Sequence, residues 1–118
     1  MNSIFDLIDK DERVISVFTT HDQWSSNLIF NKDGTGSTGD WAIRRNPNVE
    51  TLIIYNRVGS SNNIYKAKIV SIEGPLSNYA DKNRYKIHFS SCVSKGVTTS
   101  SWSDFASCGA NPVRYVNT

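Results

Sequence analysis

The chain is short of the residues on which small proteins usually build chemistry. It holds two histidines, two cysteines, one methionine and three prolines among 118 residues. Cys92 and Cys108 lie 16 positions apart with no CxxC, so the usual zinc and dithiol redox spacings are excluded. They read as reduced thiols of a cytoplasmic protein. His21 and His88 stand far apart, no cluster of three metal ligands can be traced, and no metal or other cofactor is expected. Long apolar runs are missing too. The opening residues, MNSIFDLIDKDERV, put no basic stretch before an apolar one, so neither a secretory leader nor a membrane span is expected. There are no internal repeats or low-complexity tails, and the length suits one domain, 1–118, with a single core.

Glycine is sparse, at seven residues, yet three of them spell G-x-G-x-x-G at Gly34, Gly36 and Gly39. That spacing cradles a phosphate only when a strand leads in and a helix leads out. Here the next residues, DWAIRR, alternate like a short strand, and Asn46-Pro47-Asn48 ends the element. A kinase-type glycine loop would need lysine, catalytic-loop and metal-binding partners that the chain lacks. The glycines therefore read as a flexible loop.

What is present is mostly strand. RVISVFTT carries β-branched and aromatic residues, and NLIF adds a short extended piece. ETLIIYNR (50–57) and IYKAKIVSIEG (64–74), joined by VGSSNN, read as a hairpin. RYKIHFSSCV (84–93) is a further strand and NPVRYV a closing one. Two short helices bracket them. One starts from Ser3 with Ile4, Phe5, Leu7 and Ile8 on one side; the other lies in TTSSWSDFAS, capped by Ser100 or Ser101 and carrying Trp102, Phe105 and Ala106. The expected fold is mainly β: a small, strongly curved sheet or barrel with a helix at each end.

The net charge of +2 conceals an asymmetry. Residues 1–40 hold three cations against seven carboxylates, whereas residues 41–118 hold ten against four. A basic portion beside an acidic one suits a polyanion on one side and a protein partner on the other, the latter docking through residues 6–22.

The succession WAI, TLIIYNR, NNIYKAKIVSI and RYKIHF resembles the PUA-like superfamily, particularly its EVE and YTH branches, over Asp40 to Val116. In that resemblance an aromatic opens one strand and ends the next, and a small-residue turn leads to an isoleucine- and tyrosine-bearing strand. The resemblance extends to specificity domains of modification-dependent restriction systems. It implies a pseudo-barrel that receives one nucleobase, often modified and flipped from a duplex, in an aromatic pocket.

Base capture needs aromatic faces, a polar group for the base edge and cations for the phosphates. Trp24, Trp41, Tyr55, Trp102 and Phe105 supply faces, with Asp40 beside Trp41 as edge reader. Arg44, Arg45, Arg57, Lys66, Lys68, Arg84 and Arg114 are the candidate phosphate contacts. Most tryptophans of a small barrel fill its core; Trp24 differs, since its neighbours in HDQWSSN are all polar. Catalysis has little to stand on. His88 and Cys92 share strand parity and form the one conceivable nucleophile pair, although a cysteine nucleophile wants positive surroundings rather than strand packing. No carboxylate pair accompanies Lys66 and Lys68 as a metal-dependent nuclease would require. The expectation is a non-catalytic nucleic-acid recognition domain, taking DNA in preference to RNA. A protein-interaction subunit and a small hydrolase using Cys92 or His88 are the alternatives.

Overall fold

The computed structural model describes residues 1–20, 28–44, 47–80 and 83–118. Among the described residues seven strands are present: β1 (Val14–Thr20), β2 (Leu28–Phe30), β3 (Gly36–Ala42), β4 (Thr51–Val58), β5 (Ser61–Glu73), β6 (Arg84–Thr98) and β7 (Val113–Val116). A short helix, α1 (Trp102–Ala106), lies between β6 and β7, and a 3-10 turn spans Ile4–Asp6. The strands form one mixed sheet in the order β2-β3-β6-β5-β4-β1-β7, and that sheet is not closed. The β1–β4 pair is parallel, while the other neighbours are antiparallel.

The sheet nevertheless curls hard. Laid flat, β3 and β7 would be five strand spacings apart, about 24 Å at ~4.8 Å each. Instead the Arg44 amide, just beyond β3, donates to the Tyr115 hydroxyl of β7 at 3.1 Å. The Arg44 guanidinium lies 4.1 Å from the centre of the Tyr115 ring and also donates to Thr118. The β3 side of the sheet is thus joined to β7 through Arg44, Tyr115 and Thr118, with no backbone ladder between β3 and β7.

The curl divides the apolar side chains into two cores. The inner one gathers Ile15, Val17, Leu52, Ile54, Tyr85, Ile87, Phe89 and Val113. The outer one lies under α1 and the N-terminal turn, where Ile4, Ile53, Tyr55, Ile64, Trp102 and Phe105 pack. β4 is the wall between them. Alternate residues of a strand point to opposite faces, and here both faces are covered, so Thr51 to Asn56 are all buried. That explains the unbroken apolar run TLIIY. Its isoleucines and leucine are 0% exposed, and burying each contributes about 1.5–3 kcal/mol.

Three local expectations need correction. Gly36 and Gly39 belong to β3 rather than to a loop. A Cβ on Gly36 would stand 2.0 Å from the Ile29 carbonyl oxygen and 2.6 Å from the Phe89 ring, so glycine is what lets β2, β3 and β6 approach. The N-terminal helix is a single 3-10 turn, capped by Ser3 as expected, with Ile4 buried and Phe5 51% exposed. Finally, the strand at 84–93 continues to Thr98, bent by a bulge at Ser91, where φ is 53°.

The N-terminal segment is strapped across the outer face. Near its start, the Met1 carbonyl accepts from the Thr98 hydroxyl at 2.7 Å. Eleven residues along, the Glu12 carboxylate accepts from the Asp9 amide at 2.9 Å, the Thr51 hydroxyl at 2.6 Å and the Lys66 ammonium at 3.3 Å. Lys66 also donates to the Leu7 carbonyl at 2.7 Å. Burial raises the Glu12 pKa, but the donors from Thr51, Asp9 and Lys66 outweigh it, and the carboxyl lies below its ordinary value. Next to this clasp Arg13 meets Glu50 at 3.1 Å and donates to Asn48.

Candidate functional site

At one end of the outer face a solvent-open cavity of about 710 Å³ lies between the sheet and the loops that flank α1. Its floor comes from strand register. Phe18 of β1 is level with Tyr55 of β4, and Arg57, two residues further along β4, is level with Asn62 of β5. Tyr55 and Arg57 share the outer face by alternation. Thr99, Ser101, Trp102, Ser103, Gly109 and Ala110 complete the lining.

The aromatic side chains form one contiguous wall. Phe18 stacks on Trp102 with centroids 5.7 Å apart and planes inclined by 29°. Tyr55 meets both edge-on, at 5.4 Å from Phe18 and 5.6 Å from Trp102. Helix α1 exists to hold this wall: Ser101 caps it by accepting from the Asp104 amide, and Trp102, Phe105 and Ala106 point into the outer core. The indole nitrogen of Trp102 donates to the Asn111 carbonyl at 2.7 Å, which fixes the ring. The Tyr55 hydroxyl donates to the Ser100 carbonyl at 2.7 Å. Burial pushes that phenol's pKa up against the opposing pull of Arg57, so Tyr55 is a neutral donor at neutral pH.

The polar groups are few and of one character. Arg57 is exposed at the cavity and is its sole ionised side chain among the lining residues. The Asn62 amide nitrogen holds the Thr98 and Ser100 carbonyls at 3.2 and 3.4 Å, which turns its carbonyl oxygen into the part able to accept a donor. Ser101 and Ser103 add hydroxyls 3.4 Å from each other. Among the described residues no carboxylate lines the cavity. Its volume falls in the ~300–1,000 Å³ range of small-molecule sites. Flat aromatic walls beside a guanidinium suit a planar ring that carries an anionic group.

Of the expected base-pocket residues, the structure brings Tyr55 and Trp102 together. Trp41 and Asp40 lie elsewhere, on β3, with β6 and β5 between them and β4. Trp41 packs half-buried against the inner core, its indole nitrogen donating to the Thr38 hydroxyl at 3.1 Å. The Asp40 carboxylate accepts from the Tyr79 hydroxyl at 2.5 Å, and its carbonyl accepts from Arg84 at 3.3 Å. Trp24 and Arg45 lie outside the described residues.

The expected phosphate contacts scatter. Lys66 is turned to Glu12 and Leu7. Arg114 donates to the Ala106 and Tyr115 carbonyls, both at 2.9 Å. Arg44 seals the sheet against Tyr115, and Arg84 faces Asp40 and the Tyr79 ring. Lys68 is exposed but stands level with Thr51, six residues from Arg57 on the same ladder. Among the described members of the expected set, only Arg57 lines the aromatic cavity.

The cysteine–histidine pair is not assembled. The bulge at Ser91 reverses the parity, so Cys92 packs on the inner core while His88, between the inward residues Ile87 and Phe89, points outward to Glu73 at 2.8 Å. Burial raises the Cys92 pKa, opposite to the shift that makes a nucleophile. Among the described residues no three His, Cys, Asp or Glu side chains could hold a metal ion, and no helix is long and apolar enough to cross a membrane.

Sequence reasoning missed Phe18, Asn62, Ser101, Ser103 and the Gly109–Ala110 turn as site residues. Phe18 carried a signal: it is the last large apolar residue of VISVFTT, where a strand runs out of core. Asn62 comes to the cavity through the β4–β5 hairpin and Ser101 and Ser103 through α1 and its cap, elements legible as structure but carrying no mark of a site. No known protein family, curated protein or solved structure matches the chain.

Proposed function

We propose that the protein is a nucleic-acid recognition domain, related to the PUA-like barrels, and that the cavity beside α1 receives one nucleobase. The observation that carries this reading is the Phe18–Trp102–Tyr55 wall with the exposed Arg57 at its side in one cavity. A base stacks on Phe18 and Trp102, its edge meets the Asn62 carbonyl and the serine hydroxyls, and its phosphate meets Arg57. The curl of the sheet and the aromatic end of β4 support kinship with the PUA-like fold. The site differs from the one that kinship first suggested: Trp41 and Asp40 play no part, and Phe18 takes the place of Trp41.

Titration of Phe18→Leu, Arg57→Ala and Trp41→Phe with single-stranded and duplex DNA and RNA tests this. Stacking on an aromatic contributes about 1–3 kcal/mol per base, so Phe18→Leu should weaken binding roughly 5- to 150-fold while the retained aliphatic packing keeps the protein folded. Arg57→Ala should weaken it as well, and Trp41→Phe should leave it unchanged. Oligonucleotides that fail to bind, or that bind Phe18→Leu as well as the unaltered protein, would defeat the proposal. Comparison of the four nucleic acids selects between DNA and RNA.

A further inference from the structure

Resting on the reading of the cavity as a base site, we infer that Asn62 selects among bases: the site takes those with an exocyclic amino group in preference to thymine and uracil. A carboxamide in water offers donors at one end and an acceptor at the other, and turns to present either. Asn62 is not free to turn. Its nitrogen donates to the Thr98 carbonyl at 3.2 Å and to the Ser100 carbonyl at 3.4 Å. A flip would set the Asn62 oxygen against both carbonyl oxygens and exchange two hydrogen bonds for two repulsions.

Both carbonyls are themselves held. Thr98 is the β6 residue level with Asn62 and is buried. Its hydroxyl accepts from the Ser100 amide at 3.1 Å and donates to the Met1 carbonyl at 2.7 Å. The Ser100 carbonyl accepts from the Tyr55 hydroxyl at 2.7 Å as well. The polarity of Asn62 is therefore fixed by the sheet, and its oxygen is the atom it presents to a ligand. Its neighbours in the lining differ in character. The Arg57 guanidinium only donates, the Trp102 indole N–H is engaged by the Asn111 carbonyl, and the Ser101 and Ser103 hydroxyls rotate to donate or accept.

A fixed acceptor selects by what faces it. The amino groups of adenine, cytosine and guanine project beyond their rings as donors. Thymine and uracil offer N3–H alone, set between two carbonyl oxygens, so seating that donor brings like dipoles beside the Asn62 oxygen. In an enclosed site, loss of a hydrogen-bonded donor is punished by about 10⁴-fold or more. This cavity is open to solvent, so water replaces the donor and the net worth of one hydrogen bond applies, about 3- to 10-fold.

The experiment titrates the full chain, by tryptophan fluorescence, with short single strands that carry one base at the centre and are abasic elsewhere. The central base is adenine, 6-methylpurine, cytosine or uracil, and a fully abasic strand is the reference. Adenine and 6-methylpurine have the same shape on the same backbone, and differ in the amino donor. The inference expects adenine over 6-methylpurine and cytosine over uracil, each by about 3- to 10-fold. Asn62→Leu covers the two carbonyls without offering an acceptor, and should bring the members of each pair together. Arg57→Ala should weaken all four strands and leave both ratios as they were. Equal binding of adenine and 6-methylpurine by the unaltered protein, or a preference for the methyl compound, overturns the inference and leaves base recognition standing. Ratios that persist in Asn62→Leu overturn it as well, since the selecting group is then another. If the four strands bind no better than the fully abasic one, the cavity takes no base and the proposed function falls.

Discussion

Replacing Glu12 by glutamine removes one charge from a network that ties the N-terminal segment to the sheet. The Glu12 side chain is 13% exposed and that of its partner Lys66 26%. Breaking a fully buried pair by removing one partner costs about 3–5 kcal/mol. Two features reduce that figure here: both groups retain some water, and Lys66 keeps the Leu7 carbonyl at 2.7 Å. Glutamine also preserves an oxygen for the Thr51 hydroxyl. We therefore expect Glu12→Gln to cost about 1–2 kcal/mol and Glu12→Ala, which abandons Thr51, Asp9 and Lys66 together, about 2–4 kcal/mol. At roughly 4 °C per kcal/mol for a domain of this size, Glu12→Gln should melt about 4–8 °C lower. The pH dependence follows from the lowered carboxyl pKa. A group whose folded value lies below its unfolded one stabilises fully above the unfolded value, about 4.3 for glutamate, and loses that contribution as the pH falls through the folded value. Urea titrations at pH 7 should separate the two proteins, and titrations well below pH 4 should bring them together. An unchanged difference at both pH values, or a cost under about 0.5 kcal/mol at pH 7, would refute the clasp.

Two further outcomes bear on the sheet. Gly36→Ala places a Cβ 2.0 Å from the Ile29 carbonyl oxygen and 2.6 Å from the Phe89 ring; it should cost about 2–3 kcal/mol in urea unfolding, and wild-type stability would show that β2 does not sit on β3 as described. Tyr115→Phe keeps the ring under Arg44 but removes the acceptor of its amide, so it should cost about 1 kcal/mol and speed hydrogen exchange at Arg44; unaltered exchange would contradict the side-chain seam.

What the sequence made legible was local. The β4–β5 hairpin shows itself in two alternating runs about a polar turn, and α1 in Ser101 followed by Trp102, Phe105 and Ala106, because both signals are confined to a few neighbouring residues. β3 was half hidden: its end showed in the alternation of DWAIRR, but Gly36 and Gly39 read as loop by propensity, and Gly36 is strand where Ile29 of β2 and Phe89 of β6 leave no room for a side chain. Lys66 and Lys68 looked alike in IYKAKIV, yet one is clasped by a carboxylate 54 positions away and the other is exposed. The pocket was half legible for the same reason. Tyr55 and Trp102 are conspicuous aromatics, whereas Phe18 joins them only through a parallel pairing that no local pattern announces.

The acidic N-terminal portion acquires a different meaning once that clasp is seen. A surplus of carboxylates in residues 1–40 invited a docking role for residues 6–22. Asp6 turns back to the amides of Asn2 and Ser3, and those hydrogen bonds hold its carboxyl below the usual range. Glu12 faces Lys66 and Thr51. Asp9 and Asp11 are exposed, and Asp22 lies outside the described residues. Part of the charge therefore serves the chain's own closure. The strap it fastens reaches both ends of the outer face: Glu12 anchors one end beside Thr51, and Met1 meets Thr98 at the other, the residue of β6 level with Asn62 of the cavity. Between these points the strap inserts Ile4 into the core that carries Tyr55, Trp102 and Phe105. Loss of the clasp should accordingly loosen the floor beneath the aromatic wall, whereas loss of Arg57, which is exposed at the cavity, should leave the strap as tight as before.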